Sequence, residues 1–222
     1  NLADIFLPNI ESQDELIDLA KLLYKIQKAV AALPYLDRES DEITNKNMRL
    51  GLGISGITQA QEKLDWLSPT YEMLRDFDQY WSTYKEWPPS VRLTTVKPSG
   101  TLSLLAGVTP GIHPGYSRYH IRRVRMAASD PLLPYCESRG YKVEWVENDS
   151  RTKVVEFPCE FPEDTVFAEN MTAVDQLELQ CRLQRDWADN AVSVTVYIRS
   201  EELDDVKQFL NKNWSTMKSV SF

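Results

Sequence analysis

The chain has 222 residues, of which 42% are hydrophobic and 26% are charged, a balance typical of a globular protein with one large domain or two small ones. Its formal net charge of −8 argues against a general nucleic-acid-binding surface. No apolar run approaches the roughly 20 residues that span a membrane, and no signal peptide is recognisable. We therefore expect a cytoplasmic protein that has neither a membrane nor a nucleic acid as a partner.

The first half of the chain carries clear helix signals. Ser12-Gln13-Asp14-Glu15 fits a capping box, and apolar residues then recur at helical spacing as far as Pro34, which ends the predicted helix. Glycines within residues 51–56 predict a strand or tight segment that another backbone approaches closely. Residues 58–84 are predicted to be helical, and Trp87-Pro88-Pro89 ends that stretch.

The second half alternates strand and helix patterns. A β-type run at Val91–Val96 leads through a turn into a predicted helix at Thr101–Ala106. A loop rich in proline and glycine, the Pro/Gly loop, follows at Gly107–Gly115. The later predicted elements are a strand at 119–126, a helix from Pro131 to Gly140, a hairpin at 141–157, a helix at 174–187, a strand at 191–198, a helix at 200–210 and a strand from Ser219. This alternation predicts an α/β fold with a largely parallel sheet or barrel.

The cysteines and histidines indicate neither a disulfide framework nor a metal site. Cys136, Cys159 and Cys181 are an odd number without paired spacing, so buried, reduced thiols are the simplest interpretation. The two histidines, His113 and His120, form no zinc pattern with them, and we expect no metal-binding residues.

The turn Lys97-Pro98-Ser99-Gly100 and the following Thr101-Leu102-Ser103 form a candidate anion site. A helix N-terminus leaves N–H groups unpaired, glycine allows an anion to approach the backbone, and hydroxyl groups add donors. The turn is not a Walker A loop, because Gly-Lys-Ser/Thr is absent. A capped helix start without a ligand explains the same pattern, and from the pattern alone we favour it.

Three further features each have a functional and a structural interpretation. His113, in the Pro/Gly loop, could act as a base or a ligand, but we favour a structural role in the loop. The basic stretch Arg118–Arg125 could meet phosphates, and we slightly favour ion pairs with the many carboxylates instead. Asp189-Asn190 could orient a loop, but a simple turn is the favoured interpretation.

Five segments, taken together, resemble one protein family. They are NLADIFL at 1–7, TNKNMRLGLGI at 44–54, SVRLTTVKPSGTLSLLAG at 90–107, TPGIHP at 109–114 and YHIRRVRM at 119–126. In these segments the chain resembles the monomeric adenosylcobalamin-dependent (class II) ribonucleoside-triphosphate reductases, essentially over its whole length. The stretch around Pro-Ser-Gly-Thr is the most specific part of the resemblance.

The resemblance implies a fold and a site. The fold would be α/β, part of a ten-stranded ribonucleotide-reductase-type α/β barrel, with residues 1–222 as the C-terminal part of the catalytic barrel, incomplete at both ends. Lys97, Gly111 and His113 would lie in the vicinity of the substrate or cofactor. The residues that would bind the substrate phosphates are Pro98, Ser99, Gly100, Thr101, Leu102 and Ser103.

The resemblance also implies radical chemistry. In the family, adenosylcobalamin generates a thiyl radical on a finger-loop cysteine, the radical takes the 3′ hydrogen of a ribonucleoside triphosphate, and a cysteine pair reduces the 2′ carbon. The implied partners are a thioredoxin-type reductant and deoxynucleotide effectors, the latter bound by regions outside this chain. The complete enzyme is expected to be a monomer.

The chain departs from the family at the catalytic positions. The finger-loop motif Asn-Pro-Cys-Gly-Glu is absent, the three cysteines do not match catalytic positions, and one reducing cysteine would immediately precede Asn1. We therefore expect no catalytic residue within the chain and no activity from the chain alone. Two alternatives remain: a fragment of a dimeric diphosphate-using reductase of the same superfamily, or a non-catalytic nucleotide-binding module.

Overall fold

A computed structural model describes residues 1–163 and 165–222. They form two compact units, a larger one of Asn1–Gly115 with residues 165–222 and a smaller one of Tyr116–Glu163. The helices are α1 (Gln13–Ala31), α2 (Arg38–Asn47), α3 (Leu67–Lys85), α4 (Leu102–Leu105), α5 (Leu132–Ser138), α6 (Ala173–Asp186) and α7 (Leu203–Asn213). The strands are β1 (Leu2–Phe6), β2 (Gly51–Ser55), β3 (Tyr119–Ala127), β4 (Lys142–Val146) and β5 (Asp149–Glu160).

Parallel pairing organises the larger unit. β1 and β2 pair in parallel, with Asp4 opposite Gly53. Isolated parallel bridges continue this order through three further segments, joining Leu52 to Thr94, Val96 to Val192 and Thr195 to Ser221. The predicted mixture of helices and strands is therefore confirmed, and so is parallel pairing in this unit, whereas the sheet of the smaller unit is antiparallel. Within residues 1–163 and 165–222 there are five strands and no closed barrel, so the ten-stranded barrel stays a prediction.

The runs predicted as strands at 91–96 and 191–198 form single bridges rather than named strands. Side chains also bond to the backbone carbonyls of these runs, and the Thr94 carbonyl accepts the Asn190 backbone N–H at 3.0 Å as well. The Asn190 side-chain amide donates to the Thr94 carbonyl at 2.8 Å, and the Trp187 indole N–H donates to the Thr95 carbonyl at 3.2 Å. The two predicted strands are therefore corrected to irregular segments that carry isolated parallel bridges.

Helix α1 begins where the sequence predicts, but its apolar residues do not all face the core. The Ser12 hydroxyl caps the helix by accepting from the Glu15 N–H, and the helix ends at Ala31, shortly before Pro34. The periodic apolar residues divide between two faces. Leu16 is fully buried, whereas the exposed ones include Leu22, Ile26, Val30 and Leu33. The buried face instead includes the polar residues Gln27 and Lys28, which have partners inside the unit.

Helix α2 was not predicted, because its sequence RESDEITNKN has no buried apolar face. Asp37 caps it by accepting from the Ser40 N–H, and Met48 ends it in a left-handed conformation. The stretch predicted as helical at 58–84 begins with short 3₁₀ turns and becomes α-helical only at Leu67.

The smaller unit is a three-stranded antiparallel sheet in the order β3-β5-β4, with α5 packed on it through Leu133 and Cys136 against Val155. The predicted strand at 119–126 and the hairpin between β4 and β5 are confirmed, and Asn148 supplies the positive φ of 60° at the hairpin turn. Among the residues that the structure describes, no helix combines the length and apolar character needed to cross a membrane.

Candidate functional site

The predicted anion turn lies at the carboxyl ends of parallel segments. β1, β2 and the run that ends at Val96 are parallel neighbours, so their carboxyl ends meet at one edge. Lys97-Pro98-Ser99-Gly100 follows the third segment directly. In parallel α/β folds, ligands bind outside the carboxyl ends of the strands, so the turn occupies the edge where a ligand site is expected.

A buried carboxylate contacts two residues of the turn. The Asp4 side chain in β1 is 0% exposed, and its Oδ2 lies 3.6 Å from the Lys97 ammonium nitrogen. The same oxygen accepts a 3.0 Å hydrogen bond from the Ser55 hydroxyl and a hydrogen bond from the Ser99 hydroxyl. Asp4 therefore joins β1 and the end of β2 to Lys97 and Ser99 of the turn. The sequence does not predict this role for Asp4, because a lone acid in a strand carries no motif.

The Pro/Gly loop packs against the turn through Gly111. Its N–H donates to the Ser55 hydroxyl oxygen at 3.1 Å, and its φ is +56°. A methyl group at this position would lie 2.1 Å from the Lys97 carbonyl oxygen. Glycine is required both by the left-handed backbone and by this close approach, and Gly111 thereby fixes the backbone from which the turn begins.

The turn itself differs from the predicted helix start. α4 is only four residues long, Leu102–Leu105, and the Thr101 side chain makes no capping hydrogen bond. A single turn of helix cannot supply the half-unit of positive charge that a long helix offers. Ser99 has a positive φ of 34°, and its carbonyl accepts from the Ser103 N–H at 3.1 Å. The turn is thus a compact, strained corner rather than the start of a regular helix.

The hydroxyl groups of the turn differ in their surroundings. The Ser99 hydroxyl donates to Asp4, and the buried Ser103 Oγ has no hydrogen-bond partner among residues 1–163 and 165–222. Pro98, Thr101 and Leu102 are exposed. Of the three hydroxyl side chains of the turn, Thr101 is therefore the exposed one.

His113 is engaged with the backbone through both ring nitrogens. Nδ1 lies 3.2 Å from the Pro110 carbonyl oxygen, and Nε2 accepts the Thr195 N–H at 3.0 Å. Burial lowers the pKa of His113, although the contact with the Pro110 carbonyl opposes that effect. The neutral ring therefore ties the Pro/Gly loop to the segment after Val192, in line with the favoured structural interpretation.

Asp189 and Asn190 do more than make a turn, which corrects the favoured interpretation. The Asp189 carboxylate accepts from the Tyr71 hydroxyl at 2.7 Å, from Arg75 at 3.0 Å and from the Leu93 N–H at 2.8 Å. The Asn190 amide spans the carbonyls of Leu50 and Thr94. The pair joins helix α3 to three neighbouring parallel segments, at their amino ends and away from the anion turn.

The arginine-rich strand forms ion pairs within the smaller unit, as favoured from the sequence. Arg118 lies 2.9 Å from Glu160 and 2.8 Å from Glu163. Arg123 lies 3.2 Å from both Glu144 and Glu156. These guanidinium groups are paired with carboxylates of their own unit.

The described residues contain no cluster of metal-ligating side chains. No group of three or more His, Cys, Asp or Glu side chains in residues 1–163 and 165–222 is arranged to hold a metal ion. His113, near the turn, has both nitrogens engaged and does not fit the role of a cobalt ligand. We assign no cobalamin contact to these residues.

Comparison with known proteins identifies the family. The family model described as "Ribonucleotide reductase, barrel domain" matches residues 90–220. The adenosylcobalamin-dependent ribonucleoside-triphosphate reductase of Euglena gracilis is 38% identical, with 96% of this chain and 31% of that protein covered. The enzyme of the same name from Levilactobacillus brevis is 33% identical, with 100% of this chain and 34% of that protein covered. The chain spans about a third of the length of these curated relatives.

Solved structures agree with this result. A crystal structure of a B12-dependent (class II) ribonucleotide reductase matches with a TM-score of 0.81 at 30% identity, covering 100% of this chain and 36% of that one. The alpha subunit of the class Id reductase of Actinobacillus ureae matches with a TM-score of 0.57 at 14% identity, covering 99% of this chain and 48% of that one, a likeness of fold alone. The resemblance found in the sequence is confirmed, and the chain belongs to the ribonucleotide reductase barrel-domain family.

Proposed function

We propose that this chain supplies the substrate-phosphate turn of an adenosylcobalamin-dependent reductase that converts ribonucleoside triphosphates to 2′-deoxyribonucleoside triphosphates. The observation that carries the proposal is the position of Lys97–Ser103 at the carboxyl ends of parallel segments, in a chain of this family. The relatives' names specify a triphosphate substrate and adenosylcobalamin, which favours this enzyme over a diphosphate-using reductase or a module without chemistry.

The physical support is a strained corner with a cation beside it. Gly100 has no side chain to keep a phosphate from the backbone, and successive backbone N–H groups in a turn can form an anion-binding concavity. Lys97 places a positive charge at the base of the turn, with its side chain 17% exposed. Binding would rest on backbone donors, the exposed Thr101 and Lys97 rather than on a helix dipole.

The remaining parts of the proposal lie outside these residues. The radical cysteine and the reducing pair, adenosylcobalamin, a thioredoxin-type reductant and the deoxynucleotide effectors would be held or met by other parts of a longer polypeptide. Adenosylcobalamin would supply the radical there. This chain would bind and orient the triphosphate in a cytoplasmic, monomeric enzyme. No membrane or nucleic acid takes part in the proposed reaction.

The proposal is tested in the full-length reductase with Ser99→Ala combined with Thr101→Ala. We expect the KM for the ribonucleoside triphosphate to rise about tenfold while kcat falls less than about threefold. Thr101→Ala removes a proposed phosphate contact and Ser99→Ala removes the hydrogen bond to Asp4 that holds the turn, and both losses weaken binding of ground state and transition state alike. Ser129→Ala combined with Ser150→Ala removes two exposed hydroxyl groups of the smaller unit and serves as the matched control. An unchanged KM in the Ser99/Thr101 variant would contradict the proposal.

A further inference from the structure

The Asp4 carboxylate is the centre of a buried polar cluster beneath the turn. Its side chain is 0% exposed, yet its Oδ1 accepts no hydrogen bond from the residues that the structure describes. Oδ2 receives the hydroxyls of Ser55 and Ser99 and faces the Lys97 ammonium group at 3.6 Å. Buried charges are costly unless they are fully paired, so stability alone gives little reason for a carboxylate at this position.

The neighbouring strand is shaped to let the ion pair form. Asp4 in β1 is directly opposite Gly53 in β2. A methyl group on Gly53 would lie 2.7 Å from Asp4 Oδ1 and 2.9 Å from Lys97 Cε. Both side chains therefore cross the space above Gly53, and any larger residue there would push the ammonium group away from the carboxylate. The absence of a side chain at position 53 is what allows Lys97 to reach across β2 to β1.

The cluster also holds the turn in an unusual backbone conformation. Ser99 is one of the few non-glycine residues with positive φ, at 34°. Such backbone strain persists only where surrounding contacts over-determine it, and it is concentrated at ligand sites. Two contacts restrain Ser99: the Ser103 N–H donates to its carbonyl at 3.1 Å, and its own hydroxyl donates to Asp4, which ties it to β1.

We propose that Asp4 is the positioning residue of the phosphate turn. It holds the Ser99 backbone in its left-handed conformation and fixes the Lys97 ammonium group at the base of the turn. In this proposal Asp4 does not touch the phosphates. The Lys97 ammonium group offsets the negative charge of Asp4, so that the carboxylate does not repel them. This inference rests on the proposed function and deepens it by assigning the turn's geometry to one buried carboxylate.

Two roles for the Asp4 charge can be told apart: holding the turn in place, or competing with phosphate for Ser99 and Lys97. If Asp4 only competed with phosphate for Ser99 and Lys97, removing its charge would tighten triphosphate binding. If it positions the turn, removing its charge releases Lys97 and relaxes Ser99, and triphosphate binding weakens. The two roles predict opposite signs for the same substitution.

The test is Asp4→Asn in the full-length reductase, which keeps the shape of the side chain and removes its charge. We expect the KM for the ribonucleoside triphosphate to rise about tenfold and kcat to change less than about twofold, because a charge-assisted contact is replaced by weaker neutral ones. Inhibition by the matching nucleoside, which has no phosphates, should stay within about twofold of the parent value. Asp18→Asn, an exposed carboxylate on α1, is the matched control.

Three outcomes would overturn the inference. They are an unchanged KM, a tighter triphosphate interaction, and an equal loss of triphosphate and nucleoside affinity, which would indicate general loosening. Should Asp4→Asn fail to fold, Ser55→Ala poses the same question without removing a charge. It deletes one of the hydrogen bonds to Asp4, and a KM that stays unchanged in this variant would also count against the inference.

The outcome also separates this inference from the proposed function. If Ser99→Ala with Thr101→Ala raises the KM but Asp4→Asn does not, the turn binds phosphate and Asp4 is not its positioning residue. If neither variant changes the KM, the phosphate role of the turn itself is wrong. A rise in both, confined to the triphosphate, supports both statements.

Discussion

The Lys28 ammonium nitrogen lies 3.0 Å from Asp78 Oδ1, and the two side chains are 0% and 2% exposed. Lys28 also donates to the Ser90 hydroxyl at 2.8 Å and to the Pro88 carbonyl at 2.7 Å, while Asp78 accepts from the Tyr24 hydroxyl at 2.7 Å. Burial lowers the pKa of Lys28. Burial alone would raise the pKa of Asp78, but hydrogen bonds from Tyr24 and Lys28 hold it below its ordinary value. The pair therefore fastens α1 and α3 to the segment before Val91.

Removing one member of this pair should strongly reduce the stability of the fold. Lys28→Met leaves the Asp78 carboxylate buried without its counter-ion, and we expect the free energy of unfolding to fall by about 3–5 kcal/mol. Urea unfolding measures it. Lys207→Met removes an exposed ammonium group paired with Asp204 and should cost less than about 1 kcal/mol. A similar, small loss in both variants would contradict a buried ion pair at Lys28.

The neutral state of His113 predicts a pH dependence of stability. Burial lowers its folded-state pKa below the ordinary value of 6.5, so the unfolded state binds the proton more readily. The contribution of His113 is complete above about pH 6.5 and is lost as the pH falls toward the folded-state pKa. Urea unfolding from pH 7.5 to 5 should show a smaller loss of stability in His113→Gln than in the parent. Equal pH slopes in the two proteins would argue against this assignment.

The close approach of Gly111 to Lys97 predicts that an alanine there costs more folding stability than an alanine at a glycine with positive φ and open space. Gly111→Ala places a methyl group 2.1 Å from the Lys97 carbonyl oxygen at a φ of +56°. Gly107→Ala meets nothing within 4 Å at a φ of +66°, so it isolates the conformational cost of about 1–2 kcal/mol. We expect Gly111→Ala to be clearly the more destabilising in thermal unfolding. In the full-length enzyme we also expect Gly111→Ala to raise the KM for the ribonucleoside triphosphate. If the two variants lose similar amounts of stability, the loop can move away from the added methyl group and the prediction is wrong.

The contacts of Asp189 predict a large loss at a position that resembles a simple turn. Asp189→Ala removes the acceptor of Tyr71, Arg75 and the Leu93 N–H, and the free energy of unfolding should fall by about 3 kcal/mol. Asp65→Ala removes a 90% exposed carboxylate paired with Arg182 and should change it by less than about 1 kcal/mol. Chemical denaturation of the two variants measures the difference, and equal small losses would mean that Asp189 is only a solvated turn residue.

Local signals in the sequence were sufficient for several elements. The Ser12 cap, the helix at 174–187 and the β4–β5 hairpin were predicted because each depends on residues close together in the chain. The apolar periodicity predicted α1 but not which of its apolar residues are buried, because periodicity shows that a helix has an apolar face but not which partner covers it. Helix α2, with no buried residue, gave no periodic signal to find.

By itself, the sequence determined the family, the α/β character of the chain and the place of the turn at Lys97–Ser103. Only the tertiary structure brought Asp4, Ser55 and Lys97 together at one edge, and only it showed that α4 is too short for a helix dipole. The physical reason is that parallel pairing joins segments about 50 residues apart, whose register and side-chain crossings depend on non-local packing. Caps and turns are local, whereas the cluster that shapes this turn is not.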